Sequence, residues 1–124
     1  GLQLALENGH GDAVQAFGEQ LAYVPPEEHA KLLAPKDSQG IFGLADVLEH
    51  GNLAAMEPYI EIVKKAAPGL SAQDRAALLA YIKESQGWKI MGFAWGNSSA
   101  YKKLEKDNPD FCLRFEEMKK ALEG

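Results

Sequence analysis

At 124 residues the chain has room for one domain with a continuous core, and its 46% apolar content is that of an ordinary globular protein. A formal net charge of −5 argues against general nucleic-acid binding, which needs clustered Lys and Arg to neutralise phosphates. No apolar run approaches the roughly 20 residues of a membrane span, and the lone Cys112 excludes an internal disulfide.

The elements follow in chain order. Leu2, Ala5 and Leu6 fall on one face of a short helix over 2–8, which the glycines Gly9 and Gly11 stop. Asp12 is placed to cap a second helix reaching about Tyr23, with Ala13, Ala16, Phe17 and Leu21 as its buried stripe. Pro25 and Pro26 break that helix and open a third, with Glu27 and Glu28 at its positively polarised start and Leu32 and Leu33 pointing inward; Pro35 closes it. The run Asp37, Ser38, Gln39, Gly40 reads as a turn.

From Gly43 the pattern starts again. Gly43, Leu44, Leu48, Gly51, Ala55 and Tyr59 repeat Gly1, Leu2, Leu6, Gly9, Ala13 and Phe17 at an offset of 42 residues. A period of that length is the signature of stacked helical units. Helices are expected over 44–50 and 53–66, with Pro58 kinking or delaying the second because proline donates nothing to the backbone ladder. Ser71, with Asp74 three residues on, caps a third helix to about Glu84. Leu78, Leu79 and Ala80 answer Leu32, Leu33 and Ala34 at an offset of 46, which predicts a loop longer by four residues. Ser85, Gln86 and Gly87 repeat the turn Ser38, Gln39, Gly40. A degraded third unit follows, in which Gly96 and Asn97 align with Gly51 and Asn52. Asn108 and Pro109 start a last helix, its stripe of Phe111, Phe115, Met118 and Leu122 suited to sealing the end of the stack.

The expected architecture is therefore all-α, a stack of about two and a half helical units over 1–42, 43–89 and 90–107 with a capping helix over 109–122, in one domain spanning 1–124. Because Gly1 already sits inside the repeat, a piece of a longer protein is expected.

The run Asp37, Gly40, Gly43, Leu44, Val47, Leu48, Gly51, Asn52 resembles the ankyrin repeat, as do Leu2, Leu4, Ala5, Leu6, Gly9 and His10 in the first unit. It departs from that repeat in having Gly1 and Gly43 where the family has proline, in lacking the adjoining Thr and His, and in a period of 42 to 47, which a third helix per unit accounts for. HEAT or armadillo stacking shares that period and is the rival arrangement. The long units, with their GLxxxLxxG, FG and LLAxKD elements, are similar in texture to ankyrin-like regions of type III secreted effectors of Gram-negative bacteria.

That resemblance implies a protein-binding module rather than an enzyme, with another protein, in the effector case a host protein, as partner. Nucleic acid, membrane, metal and cofactor are not expected, and the implied localisation is soluble, or secreted into the host cytoplasm. The alternative is an accessory, substrate-selecting segment of an enzyme whose catalytic domain lies outside the chain. Carried over position by position, the partner-facing residues are Glu7 and Asn8, Glu49 and His50, and Trp95 on the first helices, with Ser38, Gln39 and Ile41, and Ser85, Gln86 and Trp88, at the junctions. Tryptophan is enriched at interface anchors, although Trp88 and Trp95 would equally fill the gap left by the shortened third unit.

Other chemistry finds little footing. His10, His29 and His50 have no partner at metal-ligand spacing, and the resemblance gives His10 the task of tying down a turn. Cys112 sits beside an apolar stripe, as a packed thiol would. The adjacent pairs Glu27 with Glu28 and Glu116 with Glu117 diverge around their helices and cannot converge on a glycosidic bond. Residues 1–63 carry ten acidic and two basic side chains, against eight acidic and eleven basic over 64–124. Such a polarity steers a partner or simply keeps two faces solvated.

Overall fold

The structure, a computed structural model, describes residues 2–35, 43–50, 53–86 and 97–123. Its elements are α1 (Leu2–Glu7), α2 (Gly11–Gln20), α3 (Pro26–Leu32), α4 (Gly43–His50), α5 (Leu53–Ala66), α6 (Ala72–Gln86), α7 (Asn97–Asp107) and α8 (Pro109–Glu123). Single 3-10 turns at Leu21–Tyr23 and Ala67–Gly69 follow α2 and α5 directly. No strand occurs among the described residues, as the all-α expectation requires.

Backbone chemistry closes the first turn. Gly9 adopts φ 68°, a left-handed conformation that costs glycine little. The Gly9 amide then donates to the Leu6 carbonyl at 3.2 Å and the His10 amide to the Ala5 carbonyl at 2.9 Å, the paired bonds of a Schellman stop. The His10 side chain is exposed and makes no capping bond, so the turn is held by main chain and not by the imidazole. Helix α2 begins at Gly11, one residue ahead of the expected cap, and Asp12 stands in its first turn. There a carboxylate offsets the helix dipole without capping. At α6 the expected cap is present: the Asp74 amide donates to Ser71 Oγ at 3.1 Å.

Helices pack beside their counterparts. α1, α4 and α7 form one row, α2, α5 and α8 a second, and α3 lies on α6. The 42-residue offset is visible in burial, since Leu2, Ala5, Leu6, Val14 and Leu21 are buried like Leu44, Val47, Leu48, Met56 and Val63. In α2 the inward residue is Val14, with Phe17 partly buried, while Ala13 and Ala16 are exposed. The larger side chain takes the core, so the face keeps Phe17 and Leu21 and turns its alanine edge outward. Leu33 is likewise fully buried, whereas Leu32 is 37% exposed.

Two further expectations change. The four residues gained between the units do not lengthen a loop: α2 has 10 residues and α5 has 14, and each runs straight into a three-residue 3-10 turn. The insertion is one extra helical turn, which keeps the packed face nearly in register. Helix α8 is more than an added cap, because it takes the next place in the row of α2 and α5, and α7 takes the next place beside α4. Asn97 therefore starts a helix in the first row and not the second. At an offset of 56 residues Phe111, Cys112 and Phe115 are buried like Ala55, Met56 and Tyr59. Helices α2 and α3 have 10 and 7 residues, and the helices they lie on, α5 and α6, have 14 and 15.

Candidate functional site

Two adjoining hollows on the described surface lie along the seam of α2 and α5. One of 680 Å³ runs from the turn Gly9 to Gly11 past Asp12 and Gln15 to Ala54, Pro58 and Glu61. An adjoining one of 430 Å³ continues past Gly18 and Glu19 to His29 and Lys65, and the two share Gln15, Glu61 and Ile62.

The seam exists because two glycines, seven residues apart on α2, let the helices touch. A Cβ on Gly11 would stand 2.4 Å from the Ala54 carbonyl oxygen, and one on Gly18 would stand 2.5 Å from Ile62 Cγ1. Opposite Gly11, Pro58 lies inside α5 and has no N–H to offer the Ala54 carbonyl four residues earlier. That carbonyl lies against Gly11 without its usual helical donor.

The walls are acidic. Asp12 and Glu19 project from α2, Glu57 and Glu61 from α5, against one lysine, Lys65. Arg114 of α8 pairs with Glu57, while Lys64 reaches Glu117 at 3.3 Å, so α5 and α8 are bridged beside the groove. Asp12, Glu19 and Glu61 have no ion-pair partner among the described residues. At the far end His29 Nε2 lies 2.9 Å from the Leu21 carbonyl and 2.8 Å from that of Val24, a shared donation that pins α3 to the turn ending α2. His29 is thus a structural staple. Nothing in its sequence spacing announced it, since the contact depends on how α3 folds back.

The residues expected to face a partner are only partly described. Ser38, Gln39, Ile41, Trp88 and Trp95 lie outside the described residues, as do the side chains of Glu7, Glu49, His50 and Gln86. Asn8 is exposed at the end of α1. Ser85 contradicts the expectation: α6 continues to Gln86, and Ser85 is fully buried with its Oγ donating to the Tyr81 carbonyl at 2.8 Å. A helical serine can bond back to the carbonyl four residues earlier, and this one does so instead of forming a turn.

The base of the first junction is closed by two tyrosines. The Gly43 amide donates to the Pro35 carbonyl at 3.0 Å, which also accepts from the Tyr81 hydroxyl at 2.7 Å. Tyr81 Oη in turn accepts from the Leu44 amide at 3.2 Å, and Tyr59 donates to the Leu33 carbonyl at 2.5 Å. The chain thus leaves at Pro35 and returns at Gly43 to the same point. Burial pushes both phenols well above their ordinary value of 10.0; proximity to Tyr81 adds to the effect at Tyr59, while backbone bonds from Leu44 and Gly43 partly oppose it at Tyr81. Cys112 is buried within α8.

No helix among the described residues is long and apolar enough to cross a membrane. Comparison with family models, characterised proteins and solved structures gives no match to this chain.

Proposed function

We propose that this chain is a noncatalytic recognition module that binds another protein, and that its helices form an ankyrin-like stack. The observation that carries the reading is the long valley on the α2 and α5 seam, floored where Gly11 and Gly18 meet α5 and lined by four carboxylates, of which Asp12, Glu19 and Glu61 have no ion-pair partner among the described residues. Burying so much apolar surface only to leave a shaped, charged seam is what a stacked scaffold offers a partner. The arrangement of like helices in rows supports the ankyrin-like reading. The texture of the repeats supports a further proposal, that the module is the recognition region of a bacterial effector whose partner is a host protein.

A photocrosslinker attached through Gln15→Cys tests the reading, because Gln15 lines both hollows and the native Cys112 is buried. Host-cell extract should yield a discrete protein adduct that is absent when the label is placed at Glu105→Cys on exposed α7. Identical adducts from both positions, or none from either, would refute it.

A further inference from the structure

We infer that the valley between α2 and α5 receives a basic amphipathic helix of the partner, its Lys or Arg side chains meeting Asp12 and Glu61. The inference rests on the recognition reading and adds the chemistry of what is recognised.

Shape comes first. The valley is bounded on α2 by Asp12, Gln15 and Glu19 and on α5 by Glu57, Glu61 and Lys65, residues spaced three or four apart that form parallel ridges along their helices. Between them Gly11 and Gly18 bring α2 directly onto the Ala54 backbone and the Ile62 side chain of α5, which form the floor. A ridge of an incoming helix lies in such a groove, and residues 11 to 22 at 1.5 Å each give a length of about 18 Å, or some three helical turns.

Charge then selects the sign. Three carboxylates without an ion-pair partner among the described residues, Asp12, Glu19 and Glu61, face one ammonium, Lys65, while the fourth, Glu57, is paired with Arg114. The two ends of α5 are unequal, with Lys65 at the far hollow and the carboxylates of Asp12, Glu57 and Glu61 around the near one. The basic residues of the occupant therefore gather over the Gly11 end. An acidic or purely apolar helix would desolvate Asp12 and Glu61 with nothing to pair them.

Fluorescence anisotropy with three labelled synthetic peptides of about three turns tests this on the whole chain: an alanine-based helix with lysines along one face, its glutamate counterpart, and the lysine peptide interrupted by a central proline. The lysine helix should bind saturably and more weakly as salt rises; the glutamate helix should not bind, and the proline peptide should bind less well. Charge reversal in Asp12→Lys with Glu61→Lys should weaken the lysine helix by roughly tenfold or more, and neutral Asp12→Asn with Glu61→Gln should fall between. Reversal of the remote Glu105 and Glu123 should change nothing. Undiminished binding to the reversed variant, binding of the glutamate helix, equal binding of the interrupted peptide, or no saturable binding of the lysine helix would each overturn the inference. If a protein still crosslinks at residue 15 with the reversed variant and the lysine helix does not compete, recognition stands and the basic-helix occupant falls; absence of any adduct refutes both.

Discussion

Tyr59 and Tyr81 show how single hydroxyls hold a junction between helices. Tyr59 pairs the Leu33 carbonyl and Tyr81 the Leu44 amide, and Tyr81 adds a second bond to the Pro35 carbonyl that Gly43 already donates to. Tyr59→Phe should lower unfolding stability by about 1 to 3 kcal/mol in urea titrations, the usual cost of stranding a buried acceptor. The pH dependence has a definite sign. Both phenols titrate above their unfolded value in the native state, so their contribution is complete below pH 10 and declines as pH rises beyond it, where only the unfolded chain releases those protons. Stability measured from pH 9 upward should fall more steeply in the native protein than in the double phenylalanine variant. Glycines offer a second comparison at this scale. Gly11→Ala should destabilise by about 1 to 3 kcal/mol, because its Cβ meets main chain at Ala54 that cannot swing aside. Gly69→Ala, where nothing lies within 4 Å, should be neutral or stabilise by about 0.4 to 1 kcal/mol through the unfolded chain.

At the scale of an element, α5 departs most from an ideal helix. Proline at its sixth position withholds one hydrogen bond, yet the helix runs unbroken from Leu53 to Ala66 because Ala55, Met56, Tyr59, Ile60 and Val63 are buried on three sides by α2, α4 and α8. Pro58→Ala should therefore raise stability by about 1 to 3 kcal/mol and add a protected amide in hydrogen exchange, at residue 58. Element boundaries were largely legible in the sequence. Leu53, Ala66 and Pro109 fall where periodicity and proline place them, and the Ser71 cap follows from its spacing to Asp74. What the spacing could not decide was rotation about the helix axis. Ala13 and Val14, or Leu32 and Leu33, are both apolar neighbours, and only the tertiary partner selects which one turns inward. The continuation of α6 through Ser85 was hidden for a similar reason. The triplet Ser85, Gln86, Gly87 matches a turn by composition, but a buried serine bonding to Tyr81 serves a helix equally well.

For the whole molecule, the 42-residue period of the sequence returns in burial, from Leu2, Leu6 and Val14 to Leu44, Leu48 and Met56. The continuation is spaced differently: at an offset of 56 residues Asn108 and Pro109 take the sequence positions of Asn52 and Leu53, ahead of Phe111, Cys112 and Phe115. The groove had no such marker: Gly11 and Pro58 read singly as a stop and a kink, Gly18 carried no reading, and their convergence requires α2 to lie on α5. Because Phe111, Phe115 and Met118 are fully or almost fully buried against α5, α6 and α7, deletion of 109–124 should abolish cooperative thermal unfolding and leave a chain that binds hydrophobic dye. Phe115→Ala alone should cost about 3 to 5 kcal/mol.

The unequal lengths of the packed helices have a consequence for how the molecule opens. Helices α2 and α3, of 10 and 7 residues, lie on α5 and α6, of 14 and 15. Opening should reach α3 before α6, which hydrogen exchange would read as faster exchange of the α3 amides. The groove lies where α2 meets α5, so an occupant would act as a splint that holds the shorter helix to the longer one.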